Sequence, residues 1–112
     1  MKIAVPVANG LLCMHFGHAP EFVVVAVDDA AKTITSSETL VAPEHEPGLL
    51  PKWLGEKGVN AIIAGGMGSR AQALFKERGI AVLTGAAAGK PEDVVREYLA
   101  GTLACGANVC DH

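Results

Sequence analysis

The chain has three cysteines and four histidines, and all but His45 fall in two short segments. Cys13-Met14-His15-Phe16-Gly17-His18 lies close behind the start, and Cys105-Gly106-Ala107-Asn108-Val109-Cys110-Asp111-His112 closes the sequence. Thiolate and imidazole suit zinc, copper and iron–sulfur species. Gathered at two places in a chain otherwise made of Ala, Val, Gly and Leu, they point to soft-metal or metal-cluster binding rather than hydrolysis. A Cys-x-His pair occurs in each segment, Cys13 with His15 and Cys110 with His112. One pair from each would form a Cys₂His₂ set suited to zinc or copper, although the spacing is not that of a zinc finger. His18 and Cys105 are further candidate ligands. The plain alternatives are a solvated loop histidine and a tail whose thiols do nothing.

His45 sits in Pro43-Glu44-His45-Glu46-Pro47, where an acidic neighbour can orient an imidazole; the plain reading is a surface histidine. Catalytic arrangements fare worse. Ser36, Ser37 and Ser69 have no nucleophile-elbow setting. Asp28-Asp29 and Glu92-Asp93 read as turn and helix-start carboxylates. Cys13 and His15 have no identifiable third residue to orient them.

Gly65-Gly66-Met67-Gly68 follows an apolar run and precedes a helical pattern. The spacing Gly66-x-Gly68-x-x-Ala71 fits a dinucleotide fingerprint, but the acidic residue expected about 20 positions on is missing. Thr84-Gly85-Ala86-Ala87 stands there instead. The glycines permit close packing of strand and helix, and a Gly-rich turn at a helix start also offers N–H groups to an anion. A sulfide-rich cluster, or an organic acid attached to a metal, is such an anion. Met67 either adds a thioether or packs.

These residues need a scaffold, and the composition supplies one. The 112 residues are 50% apolar and 19% charged, which suits a single globular domain. Aromatics make up only 4%, so Val, Ile, Leu and Ala must build the core. The net charge is −3 and the cations are scattered, which argues against nucleic acid. The first apolar run is short and broken by Pro6, unlike a signal peptide, and no stretch approaches the ~20 apolar residues of a membrane span. A cytoplasmic location is expected, where cysteines serve as thiols or metal ligands.

Residues Lys2–Val7 and Phe22–Val27 read as buried strands, and Thr33–Leu40 as a half-exposed strand forming a hairpin with the second. Leu49–Lys57 carries Leu50, Trp53 and Leu54 on one helical stripe. Val59–Ala64 is a further strand. A helix then starts at Ser69, with Gln72 as its expected capping-box partner and Gly79 as its stop. Ile80–Leu83 is a short strand, and Pro91 opens a last helix closed by Gly101. The later strands alternate with helices, which implies parallel pairing through right-handed crossovers. The result is an α/β fold with a mixed five-stranded sheet covered by helices. Ligands gather at the carboxyl ends of its parallel strands. Residues 102–112 show no periodicity and are expected to form a mobile tail on a domain of residues 1–101.

Taken together, His15-Phe16-Gly17 after the first strand, then Ile63-Ala64-Gly65-Gly66-Met67-Gly68-Ser69-Arg70-Ala71, then Gly79-Ile80-Ala81-Val82, resemble the dinitrogenase iron–molybdenum cofactor biosynthesis family. That family includes NifX, NafY and the C-terminal part of NifB. The resemblance implies a three-layer α/β/α fold of the ribonuclease-H-like type, without nuclease activity. It also implies a non-catalytic carrier of iron–molybdenum cofactor, or of an iron–sulfur precursor, that works among cofactor-assembly proteins. The family's cluster-binding histidine falls on His15. The tail with Cys105, Cys110 and His112 departs from NifX. Mononuclear copper or zinc binding, and a regulatory module without metal, are the alternatives. A monomer or weak homodimer is expected.

Overall fold

The computed structural model describes residues 1–12, 20–28, 30–42, 49–84 and 89–100. Its central strand is β1 (Lys2–Ala8), buried from Ile3 to Val7. A short β2 (Leu11–Leu12) follows, then β3 (Glu21–Asp28) and β4 (Thr33–Val41). Helix α1 (Leu49–Glu56), β5 (Ala61–Ile63), α2 (Ser69–Glu77), β6 (Ala81–Leu83) and α3 (Pro91–Ala100) complete the order. The strands lie in the order β4-β3-β1-β5-β6, with β2 paired to β1 off that path. β3 runs antiparallel to β1 from Lys2↔Ala26 to Val7↔Glu21, while β5 and β6 are parallel to it. This is the mixed α/β sheet that the sequence predicts.

Alternation along the strands makes the layers. Ile3, Val5 and Val7 of β1 join Val23, Val25 and Val27 of β3 and Ala61 and Ile63 of β5 beneath Val94 and Val95 of α3. Ala4, Phe22, Val24 and Ile62 face the other way, against Leu50 and Leu54 of α1 and Phe75 of α2. Phe22, Leu54, Ile62 and Phe75 are fully buried. Each such side chain contributes roughly 1.5–3 kcal/mol, so this core, and not any polar contact, holds the layers together. The Arg96–Asp93 ion pair is exposed and adds little.

Three local details differ from the sequence reading. First, β2 was not foreseen. Asn9 and Gly10 both have positive φ, +54° and +81°, between the paired residues Ala8 and Leu11. This is the Asn-Gly type I′ hairpin, whose handed twist matches the strands it joins. Second, the capping box at Ser69 does not form. Gly68 is the N-cap and gives no side-chain bond; Gln72 instead donates from Nε2 to the Met67 carbonyl at 2.9 Å. Third, β3 and β4 shift register between Ala26 and Val27, a bulge that the polar pattern of β4 did not signal. The stop of α2 is as expected. Gly79 has φ +73°, and Ile80 and Gly79 donate to the carbonyls of Phe75 and Lys76, closing a Schellman motif.

Candidate functional site

The two edges of the sheet, where strands begin and end, are built differently. Parallel strands β1, β5 and β6 all end on one of them, here called the carboxyl edge. Because β3 is antiparallel to β1 and to β4, β4 also ends there and β3 begins there: Val7, Glu21 and Val41 stand in one register row. The chain therefore leaves the described residues at Leu12 and rejoins at Pro20 on this edge. It does the same after Ala42, which donates to the Pro20 carbonyl at 3.0 Å, and again between Thr84 and Gly89.

The hairpin sets one corner of this edge. β3 occupies one side of β1 along Lys2–Val7, so β2, paired to Val7 and Ala8, must lie on the β5 side. β5 pairs lower down, at Ile3 and Ala4. β2 thus stands just beyond the end of β5, in line with it. The chain after β5 cannot continue straight and turns out of the sheet through Ala64–Gly68. Leu12 is 3% exposed, and its N–H donates to the Gly89 carbonyl at 2.8 Å, which ties β2 to the segment opening α3. Cys13 is the residue directly after this anchored position.

All three helices start at this edge. α1 ends beside Lys2, whose Nζ donates to the Lys57 carbonyl at 3.2 Å, so its first turn lies at the other end of the sheet. α2 ends at Gly79, next to the start of β6, and α3 begins directly after Gly89. A helix start carries partial positive charge and N–H groups without intrahelical partners. At α2 nothing in the helix offsets this: there is no acidic residue in its first turn and no side-chain cap. Gly65 and Gly66 leading into it are buried. Met67 is 1% exposed in the core beside Ala64, Phe75 and Ile62.

Among the predicted site residues, Gly65, Gly66, Met67 and Gly68 fall together at the carboxyl edge. Cys13, His15, His18, His45, Cys105, Cys110 and His112 lie outside the described residues, as does the predicted tail. Among the described residues no three His, Cys, Asp or Glu side chains gather to hold a metal ion. No helix among them is long and apolar enough to cross a membrane. What the sequence reading missed is the β2 anchor, for which Asn9-Gly10 was the available signal.

The mixed α/β sheet thus gathers the Gly65–Gly68 loop and the uncapped start of α2 at its carboxyl edge. The sequence profile of the family described as dinitrogenase iron–molybdenum cofactor matches residues 1–101, and the chain belongs to that family. The Methanocaldococcus jannaschii protein MJ0580 is 29% identical over 106 residues, covering 92% of this chain and 89% of its own. The crystal structure of PH0822 superposes with a TM-score of 0.86 at 29% identity, over 94% of each chain. The apo form of the orange protein of Desulfovibrio gigas superposes at 0.75 with 25% identity, over 96% of this chain and 93% of its own.

Proposed function

We propose that this protein binds and carries an anionic iron–sulfur or iron–molybdenum-type cluster, or a precursor of one, during metallocofactor assembly, and is not itself an enzyme. The observation that carries the reading is the convergence at the carboxyl edge. The segment bearing Cys13, His15 and His18, the segment bearing His45, and the Gly65–Gly68 loop all attach to it. Membership of a family named for the iron–molybdenum cofactor supplies the class of cargo. The likeness to the apo form of a protein called orange is in keeping with a coloured cargo.

The donor set fits such a cargo. Sulfide and carboxylate groups on a cluster accept hydrogen bonds, which the free N–H groups at the α2 start supply. His15 would be the chief protein ligand, since a neutral imidazole binds metal without losing a proton. Cys13 and His18 are candidates to complete it. The tail can contribute only within its reach. It leaves α3 at Ala100, about one helix length (~15 Å) from the edge where α3 starts. Five residues on, Cys105 reaches at most ~17 Å and has no slack, whereas Cys110 and His112 have twice that length. Cys105, Cys110 and His112 are the tail's candidates to complete or cover the site, the last two with the greater reach. Few protein ligands suit a carrier, which must release what it holds. Partners would be cofactor-assembly proteins.

Elemental analysis after anaerobic purification from the native source tests the reading. Iron or molybdenum with sulfide, and brown or orange colour lost in the His15→Ala variant, is the expected result. Stoichiometric zinc or copper without sulfide would replace the reading with a mononuclear site. Metal-free, colourless protein that takes up no cluster would remove it.

A further inference from the structure

β4 (Thr33–Val41) is the outermost strand on its side of the sheet, and among the described residues no further strand pairs with it. Hydrogen bonds fix which of its backbone groups face outwards. Met1 and Val27 exchange N–H···O bonds in both directions, so Val27 faces β1 and, by alternation, Phe22, Val24 and Ala26 face β4. Their register partners Leu40, Glu38 and Ser36 face β3 in return, as does Ala42, whose N–H donates to the Pro20 carbonyl at 3.0 Å. Ser37, Thr39 and Val41 therefore aim their N–H and C=O groups away from the sheet. All three are exposed, Val41 to 77%.

An unpaired border of this kind invites another strand, and natural sheets blunt it with Pro, Lys, a bulge or brevity. Residues 36–41 contain no Pro and no Lys, and the bulge lies before them, where Thr35 is left without a register partner. Their order also suits a second copy of themselves. In an antiparallel pair about a two-fold axis, outward residues must meet outward residues, which allows few registers. An axis at Ser37 runs the partner's Thr39 into the bulge at Thr35. An axis at Glu38, the one charged residue of the stretch, sets two carboxylates directly opposite, which is unfavourable. An axis at Leu40 carries Ser37 past the end of the partner's β4. An axis at Thr39 uses all three outward residues: Ser37 meets the partner's Val41, Thr39 meets the partner's Thr39, and Glu38 lies against the partner's Leu40. We infer that this border is a self-association surface, on which two copies of the chain pair their β4 strands antiparallel about Thr39 into one continuous sheet. The pairing turns the two carboxyl edges in opposite directions, so each copy keeps its own cargo site. The strip is short, so the dimer is weak and depends on concentration.

Sedimentation equilibrium from micromolar to millimolar chain should show a reversible monomer and dimer, the monomer being 11.5 kDa. Amide hydrogen exchange identifies the surface. The Ser37, Thr39 and Val41 amides should gain protection as concentration rises, while those of Ser36, Glu38 and Leu40, which face β3, should not change. Thr39→Pro removes an outward N–H and is tolerated on a border strand. It should weaken the dimer about tenfold or more, by loss of two symmetry-related hydrogen bonds, with the monomer's unfolding midpoint nearly unchanged. Thr39→Lys, which sets two cations opposite each other, should act alike. Cluster uptake per chain should be the same in both variants as in the wild type. A chain that stays monomeric throughout overturns the inference; protection of Ser37, Thr39 and Val41 at every concentration would then assign the border to a segment of the same chain. A dimer that neither variant weakens uses another surface and equally overturns it. A dimer strengthened about tenfold or more by Glu38→Gln is paired about Glu38 and overturns the register.

Discussion

The two edges of one sheet differ in how they treat their backbone. At the amino edge the turns are short and satisfied from within. The Asp28 carboxylate accepts from Ala30 and Ala31 at 3.0 and 3.2 Å, and Asn60 Oδ1 accepts from the Lys2 N–H at 2.8 Å. The N–H groups of Gly79 and Ile80 close α2 against β6 by donating to the carbonyls of Lys76 and Phe75. At the carboxyl edge the connections are longer, carry most of the Cys and His, and meet a helix start left without cap or acid. The same strands and helices frame both edges, so the scaffold does not force the difference. The amino-edge turns are closed by their own bonds, and the α2 start has neither a side-chain cap nor an acid.

The largest effect should come from removing what both edges share. Phe75→Ala opens a cavity under α2 and should cost about 3–5 kcal/mol, read from urea or thermal unfolding. A cost below 1 kcal/mol would mean that α2 is not anchored by this core, and that its start is not a fixed feature. Next in size, His15→Ala should weaken cluster uptake at least tenfold, or about 1.4 kcal/mol, with the unfolding midpoint unchanged. Stability falling along with uptake would make the His15 turn structural and erase the contrast. At the amino edge, Asn60→Ala should cost about 1 kcal/mol in unfolding by stranding the Lys2 N–H, and leave cluster uptake alone. Altered uptake there would show the two edges to be coupled.

The smallest shift sharpens the comparison most. A Cβ at Gly68 meets nothing within 4 Å, and its φ of −62° and ψ of 150° suit any residue. Gly68→Asp should therefore cap α2 and stabilise the apo protein by a few tenths of a kcal/mol. It should also weaken anionic cargo, because the new carboxylate takes the same N–H groups. Stabilisation without loss of cargo affinity would place the anion elsewhere.

How legible this was from sequence depends on length of signal. Ile3–Val7 and Phe22–Val27 are continuous apolar runs with buried residues on both faces, so strand type and sheet order could be read from them. β2 could not be read from periodicity, since two residues have none; only Asn9-Gly10 marked it. The capping box failed because Ser69-x-x-Gln72 has the right letters one position too late. The turn out of β5 ends at Gly68, which takes the cap, and Gln72 finds the Met67 carbonyl instead. The family motif pointed to the Gly65–Gly68 loop, and the topology places that loop at the carboxyl edge.

The central claim is that ligand is taken at the carboxyl edge and not at the amino edge. At 11.5 kDa the chain suits amide mapping by ¹⁵N NMR. Under argon, with tetrathiomolybdate added stepwise, the amides of Leu12, Gly65–Ala71 and Gly89 should shift together and saturate. Those of Ala30, Ala31, Asn60 and Gly79 should stay in place. Saturable shifts at the amino-edge set, with the Gly65–Ala71 amides still, would contradict the account outright.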